Sequence, residues 1–244
     1  MKLPASLREF GASTRPILGL LLAAAILSGC ATGSTPFFAT TQPENLGDLK
    51  FEAREYKRSG AYDRDLAAVA AAAEAYVVRR AGEVVRPALI LDIDETSLSN
   101  WPEIEANDFG YIANGPCRLP QGPCGVRAWE QMGRAKAIAP TLALFNAAKA
   151  KGVGVFFITG RHETQRAATA ANLRAAGYRG WSALIMRPVG LRPASAADYK
   201  SAERAKIAAK GFTIIANVGD QPSDLAGGHA ERSFLLPNPF YRIQ

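Results

Sequence analysis

Leu89-Ile90-Leu91-Asp92-Ile93-Asp94-Glu95-Thr96 is an apolar run that stops abruptly at two aspartates two residues apart. Along a β-strand, residues i and i+2 project to the same side, so a strand that keeps its period here aims both carboxylates at one point beyond its carboxyl end. In an open α/β sheet that is where ligands bind. Two anions so close raise each other's pKa unless a cation sits between them. Oxygen-only ligands select a hard divalent ion such as Mg²⁺. One carboxylate can then attack an electrophile while the other moves protons. Acidic residues capping an ordinary strand would give the same letters, so the reading depends on the other strand ends.

Apolar strands are predicted at 88–92, 153–158, 183–186, 213–218 and 233–236. Helical spacing is predicted at 45–58, 62–80, 141–150, 163–176 and 197–210, with Ser195 as a cap and Gly152, Gly177 and Gly211 as stops. Strands separated by helices imply an α/β fold: a Rossmann-like parallel sheet with flanking helices and right-handed crossovers. Residues 97–139 interrupt the alternation. They hold Trp101, Phe109, Tyr111, Trp129 and two cysteines, far more chain than a crossover loop of about 2–6 residues needs. Such an insertion after the first strand reads as a small cap over the site, its aromatics packing the cap or contacting substrate.

Further strand ends carry chemistry of their own. The second strand runs into Thr159-Gly160-Arg161, a hydroxyl, a backbone N–H open to close approach and a guanidinium at a helix start, which together suit phosphate. The strand at 213–218 ends in Gly219-Asp220-Gln221-Pro222-Ser223-Asp224, adding two carboxylates, and Lys200 lies near the start of a helix.

The amino terminus addresses the compartment. Lys2, Arg8 and Arg15 precede an apolar run from Ile17 to Leu27, too short to span a bilayer, and Leu27-Ser28-Gly29-Cys30 follows. This resembles a bacterial lipoprotein signal over residues 1–29, cleaved before a lipidated Cys30; Ala31 in place of aspartate resembles an outer-membrane sorting signal. The alternative is an ordinary secretory signal that happens to precede a cysteine. Residues 30–44 form a lipidated cysteine and flexible tether, and residues 45–244 a single catalytic domain, exported and anchored to the membrane by its lipid.

The formal charge is +7 overall and falls to +5 once the signal's three cations and Glu9 are removed. That bias suits an anionic substrate, whereas the dispersed cations and lack of an aromatic ladder argue against nucleic acid. Outside the cytoplasm Cys117 and Cys124, in a Gly/Pro-rich loop, read as a disulfide pair. Zinc is the alternative, and the two histidines, His162 and His229, are far from the pair in sequence and read as surface or helix-end residues.

Taken in order, Leu-Asp-Ile-Asp-Glu-Thr, Phe-Phe-Ile-Thr-Gly-Arg, Tyr-Lys-Ser and Gly-Asp-Gln-Pro-Ser-Asp resemble the haloacid-dehalogenase superfamily of aspartate-nucleophile phosphohydrolases. Within it they look like the acid phosphatase branch of bacterial outer-membrane lipoproteins and plant vegetative-storage-type phosphatases. The similarity runs from about residue 45 to the end and includes the closing Leu236-Pro-Asn-Pro-Phe-Tyr241. Glu103 and Pro222 and Leu225 depart from the nucleotide-hydrolysing lipoproteins, where a Tyr, a Leu and a Phe are expected.

The resemblance implies that Asp92 is the nucleophile and Asp94 the general acid and base. It implies Mg²⁺ held by Asp92, the Asp94 backbone carbonyl and Asp220, with Asp224 behind, and phosphoryl oxygens held by Thr159, Gly160, Lys200 and Arg161. The substrate it implies is a small phosphomonoester, nucleotides among the candidates. A dehalogenase would need neither Asp94 nor a metal. A silent, lipid-anchored binding or storage protein on the same fold is the alternative of another class, against which stands the joint presence of Asp92, Asp94, Lys200 and Asp220.

Overall fold

The computed structural model describes residues 41–243; the leader, Cys30 and the tether up to residue 40 lie outside them. Two helices come first, α1 (Leu46–Arg58) and α2 (Ala61–Arg80), followed by strand β1 (Pro87–Leu91). The 97–139 segment contains β2 (Leu98–Ser99), α3 (Trp101–Ala106), α4 (Val126–Met132) and β3 (Lys136–Ala137). Then come α5 (Ala139–Ala150), β4 (Gly154–His162), a 3₁₀ turn (Glu163–Gln165), α6 (Arg166–Ala175), β5 (Ala183–Arg187), α7 (Ala196–Ala209), β6 (Thr213–Gly219), α8 (Pro222–Leu225) and β7 (Arg232–Leu235).

The main sheet has the order β5-β4-β1-β6-β7, every pair parallel. β1 is its centre, which explains why that strand has no polar alternation: both of its faces are covered. Leu89 and Leu91 pack with Val155 and Phe157 in one core, and Ala88 and Ile90 with Phe156, Ile158, Tyr199 and Ile207 in the other, the period-2 signature of a strand buried on both sides. Because the strands are parallel, Asp92, the end of β4 and Asp220 all emerge at one edge.

Two boundaries differ from the sequence expectation. β4 continues past Ile158 to His162, with an irregularity between Thr159 and His162, because His162 pairs with Arg187 of β5. The helix expected at 163–176 is split into the 3₁₀ turn and α6.

The insertion packs on the same edge. Its β2 and β3 pair antiparallel, Trp101 and Phe109 gather around Phe240, and Cys117 and Cys124 are disulfide-bonded in the loop before α4. Asn107 holds that loop by accepting the Cys124 N–H and donating to its carbonyl, at 2.8 and 2.7 Å.

Candidate active site

Asp92 leaves β1 on the face that α7 covers, and α7 sends Lys200 across to it. The Lys200 ammonium lies 2.5 Å from Asp92 Oδ1 and 2.6 Å from Asp224 Oδ1. Asp220, at the end of β6, accepts from the Thr96 hydroxyl on Oδ1, and from the Gln221 and Asn238 side-chain amides on Oδ2. Asp224 Oδ2 accepts the Gln221 N–H, which ties the turn after β6 together. One oxygen from each of Asp92, Asp220 and Asp224 lies within 4.8 Å of the others, and all three residues are buried.

Burial works against ionising Asp92 and Asp220. The Asp92 carboxyl is pushed well above the carboxylate range by desolvation, with Lys200 opposing and Asp224 and Asp220 adding to it. Asp220 is raised to about 6, by burial first and Asp224 second. Desolvation disfavours charge on Lys200, and its two carboxylate partners outweigh that and raise its pKa. Three carboxylates around one ammonium leave two negative charges uncompensated in a buried space, a costly arrangement without a cation. A divalent ion with oxygen ligands fits that deficit in both charge and donor type.

Asp94 is held differently. Its Oδ1 accepts from Arg161 Nη2 at 2.6 Å and from the Asn100 side chain at 2.9 Å, and Arg161 Nε reaches both oxygens. Burial opposes its ionisation, but the Arg161 guanidinium prevails and holds its carboxyl below the usual range. The chain leaves the strand before Asp94: Ser97 and Leu98 both donate to the Ile93 carbonyl, and Glu95 sits at φ 50°, so the period of two is broken and the carboxylates take separate partners. Both still line one cleft of about 610 Å³.

The phosphate-binding candidates are likewise divided. Gly160 and Lys200 line the cleft. Thr159 is fully buried, its hydroxyl accepting the Arg161 N–H. Arg161 lines the cleft, but its donors are taken by Asp94 and Thr169, and Glu130 lies 3.5 Å from its Nε, so this guanidinium orients Asp94. His162, expected at the surface or a helix end, starts the 3₁₀ turn and also lines the cleft, because β4 carries it there.

The model of the HAD superfamily, subfamily IIIB (acid phosphatase), matches residues 37–244. The chain belongs to this family. Acid phosphatase 1 of Solanum lycopersicum is 34% identical over 205 residues, covering 83% of this chain and 76% of its own length. A stem 28 kDa glycoprotein of Glycine max is 35% identical over 175 residues, 70% of this chain and 66% of that protein. The class C acid phosphatase from Bacillus anthracis superposes with a TM-score of 0.63 at 20% identity, over 80% of this chain and 86% of its own, a likeness of fold. The present chain is thus an HAD-type acid phosphatase, a phosphomonoesterase.

Several residues of this acid phosphatase's cleft were not singled out by sequence reasoning. Glu95 is buried and accepts from the Asn100 N–H and amide and from the Tyr241 hydroxyl; desolvation, then Asp94 and Asp220, raise it to about 8. Asn100 in turn accepts from Trp129 Nε1 at 2.8 Å, which makes that aromatic part of the site's scaffold. Glu103 and Glu130, from the insertion, are both raised to about 7, chiefly by burial. Glu95, Asn238 and Tyr241 stand inside motifs that the sequence offers, and their position there was the available signal. Glu103 stood out in the sequence only as a departure from the nucleotide-hydrolysing lipoproteins, and nothing local marks Glu130.

Proposed function

We propose that this acid phosphatase hydrolyses small phosphomonoesters, nucleotides among them, through an aspartyl phosphate on Asp92, with Mg²⁺ as its cofactor. The observation that carries the reading is the contrast between two neighbouring carboxylates: Asp92 within a buried carboxylate–ammonium cluster, Asp94 on a guanidinium outside it. Pairs of acids with divergent surroundings divide nucleophilic from proton-transfer work.

Lys200 fixes Asp92 from the Oδ1 side and brings positive charge to the incoming phosphoryl group, and the Gly160 N–H donates to it; Thr159, buried behind the cleft wall, steadies this turn by accepting the Arg161 N–H. Asp92 attacks phosphorus in line, and the bond to the alcohol oxygen breaks. Arg161 keeps Asp94 aimed into the cleft; the negative phosphate ester raises Asp94's pKa as it arrives, so Asp94 protonates the departing oxygen. Ionised again, it takes a proton from the water that attacks phosphorus, and the bond to Asp92 breaks to release inorganic phosphate. Asp92, Asp220 and the Asp94 carbonyl, with Asp224 behind them, would hold Mg²⁺, whose charge would offset repulsion between nucleophile and phosphate.

The sequence of the leader and Cys30 supports export from the cytoplasm and a lipid tether to the outer membrane. Storage proteins occur among its relatives, Vegetative storage protein 1 of Arabidopsis thaliana at 32% identity for one, but the intact carboxylate–lysine cluster favours turnover here. The test is release of p-nitrophenol from its phosphate ester by protein lacking residues 1–29, with and without EDTA. Activity should need Mg²⁺ and vanish in Asp92→Asn, while Asp94→Asn should still form some covalent phosphoenzyme with this good leaving group. Full activity in chelator would refute the metal, and a phosphoenzyme trapped on Asp92→Asn would refute the nucleophile.

A further inference from the structure

Beside the catalytic cleft lies a second cavity of about 280 Å³, and the two share a wall: Gly160, Arg187 and Lys200 line both. Pro193, Ser195 and Tyr199 contribute to the remainder of the second cavity. Two of its residues carry buried polar atoms with no partner, Arg187 Nε and the Tyr199 hydroxyl. Tyr199 is 4% exposed. A buried donor left unpaired costs about 1–3 kcal/mol, so two on residues that line one cavity form an arrangement that ligand binding would relieve.

The charges around them point to the ligand's sign. Arg187 ends β5 and is paired in register with His162, whose Nε2 lies 2.5 Å from its Nη2. Burial and then Arg187 and Arg127 push the His162 pKa down, which disfavours a charge on that partner. Among the described residues no carboxylate pairs with Arg187. Glu163 and Glu203, whose charges reach Tyr199, are engaged by Arg166 and Lys206. Tyr199 remains a proton donor across the working range, its pKa raised to about 12 by burial first. The cavity therefore presents an uncompensated guanidinium and a free O–H donor next to the phosphoryl site, and an oxyanion satisfies both.

We propose that this cavity binds a second anionic group of the substrate, a phosphate or carboxylate on the leaving alcohol, and that Arg187 and Tyr199 are specificity-determining residues for doubly anionic phosphomonoesters. The inference rests on the phosphomonoesterase reading and adds a substrate class to it. Arg187 supplies the fork of donors that oxyanions fit. The shared wall sets the spacing: both anions must belong to one small molecule.

The experiment compares kcat/KM for phosphate release from α,ω-alkanediol bisphosphates of two to four carbons with that from the matching alkyl phosphates. Wild type should prefer the bisphosphate at one chain length or more by about 10- to 100-fold, the range of a charged hydrogen bond. Arg187→Gln should erase most of that ratio, and Tyr199→Phe, which removes only an unpartnered hydroxyl, should lower it several-fold in a protein that folds normally. A wild type with no preference at any length overturns the proposal. So does a loss in Arg187→Gln that is equal for both substrate sets, because Arg187 would then serve the transferred phosphoryl group. If neither p-nitrophenyl phosphate nor any alkyl phosphate is cleaved, the phosphomonoesterase reading itself has failed and the inference falls with it.

Discussion

Replacing Arg204 by methionine tests whether the turn after β6, which carries Asp224, is held by one guanidinium. Arg204 is completely buried, and its nitrogens donate to the carbonyls of Asp224 at 2.6 Å, Gly228 at 2.9 Å and Ala226. Asn217 also donates to the Asp224 carbonyl, so in Arg204→Met that acceptor keeps a partner while those of Ala226 and Gly228 lose theirs. Two buried or part-buried acceptors at about 1–3 kcal/mol each give roughly 2–6 kcal/mol, and removing a desolvated charge in favour of an apolar chain returns part of it. The net expectation is a loss of about 2–4 kcal/mol, or about 4–16 °C in Tm for a domain of this size. Urea denaturation followed by far-UV circular dichroism would measure it. Because the turn also positions Asp224 against Lys200, phosphatase activity should fall at temperatures where the variant is still folded. A variant within 1 kcal/mol of wild type and fully active would refute the argument, showing that the loop closes without its buried cation.

Two further outcomes follow from other parts of the molecule. Glu103, beside Asn107 and within the field of Asp94 and Glu130, is raised to about 7, so the folded state binds its proton more tightly than the unfolded chain does. The stability this contributes is complete below about pH 4.5 and is lost as the pH rises to about 7, amounting to about 2–3 kcal/mol; Glu103→Gln should therefore gain Tm relative to wild type from pH 5 to pH 8, and parallel melting profiles would contradict the burial argument. At the other end of the chain, Cys30→Ser should leave an unprocessed precursor without lipid, and detergent-phase partitioning of wild type no greater than that of the variant would show the leader to be an ordinary cleaved signal.

Most of the local order could be read from the amino acids alone. β1, β4, β5 and β6 were legible because strands buried on both faces read as unbroken apolar runs, and the helices because caps and glycines punctuate them. Asp92 and Asp220 could be placed for the same reason, since a parallel sheet brings every strand's carboxyl end to one edge. Which side chain each of these residues meets depends on the assembled fold. Asp94 turns to Arg161, 67 residues on, because the chain leaves its strand at Ile93 and Glu95; Lys200 reaches Asp92 across 108 residues because α7 covers that face of β1. The Arg187–His162 contact arises from two extra residues of β4 register that no local pattern marks. Charge and hydrogen-bond partners separated by a hundred residues are chosen by strand register and the packing of the inserted cap, and those are properties of the assembled sheet.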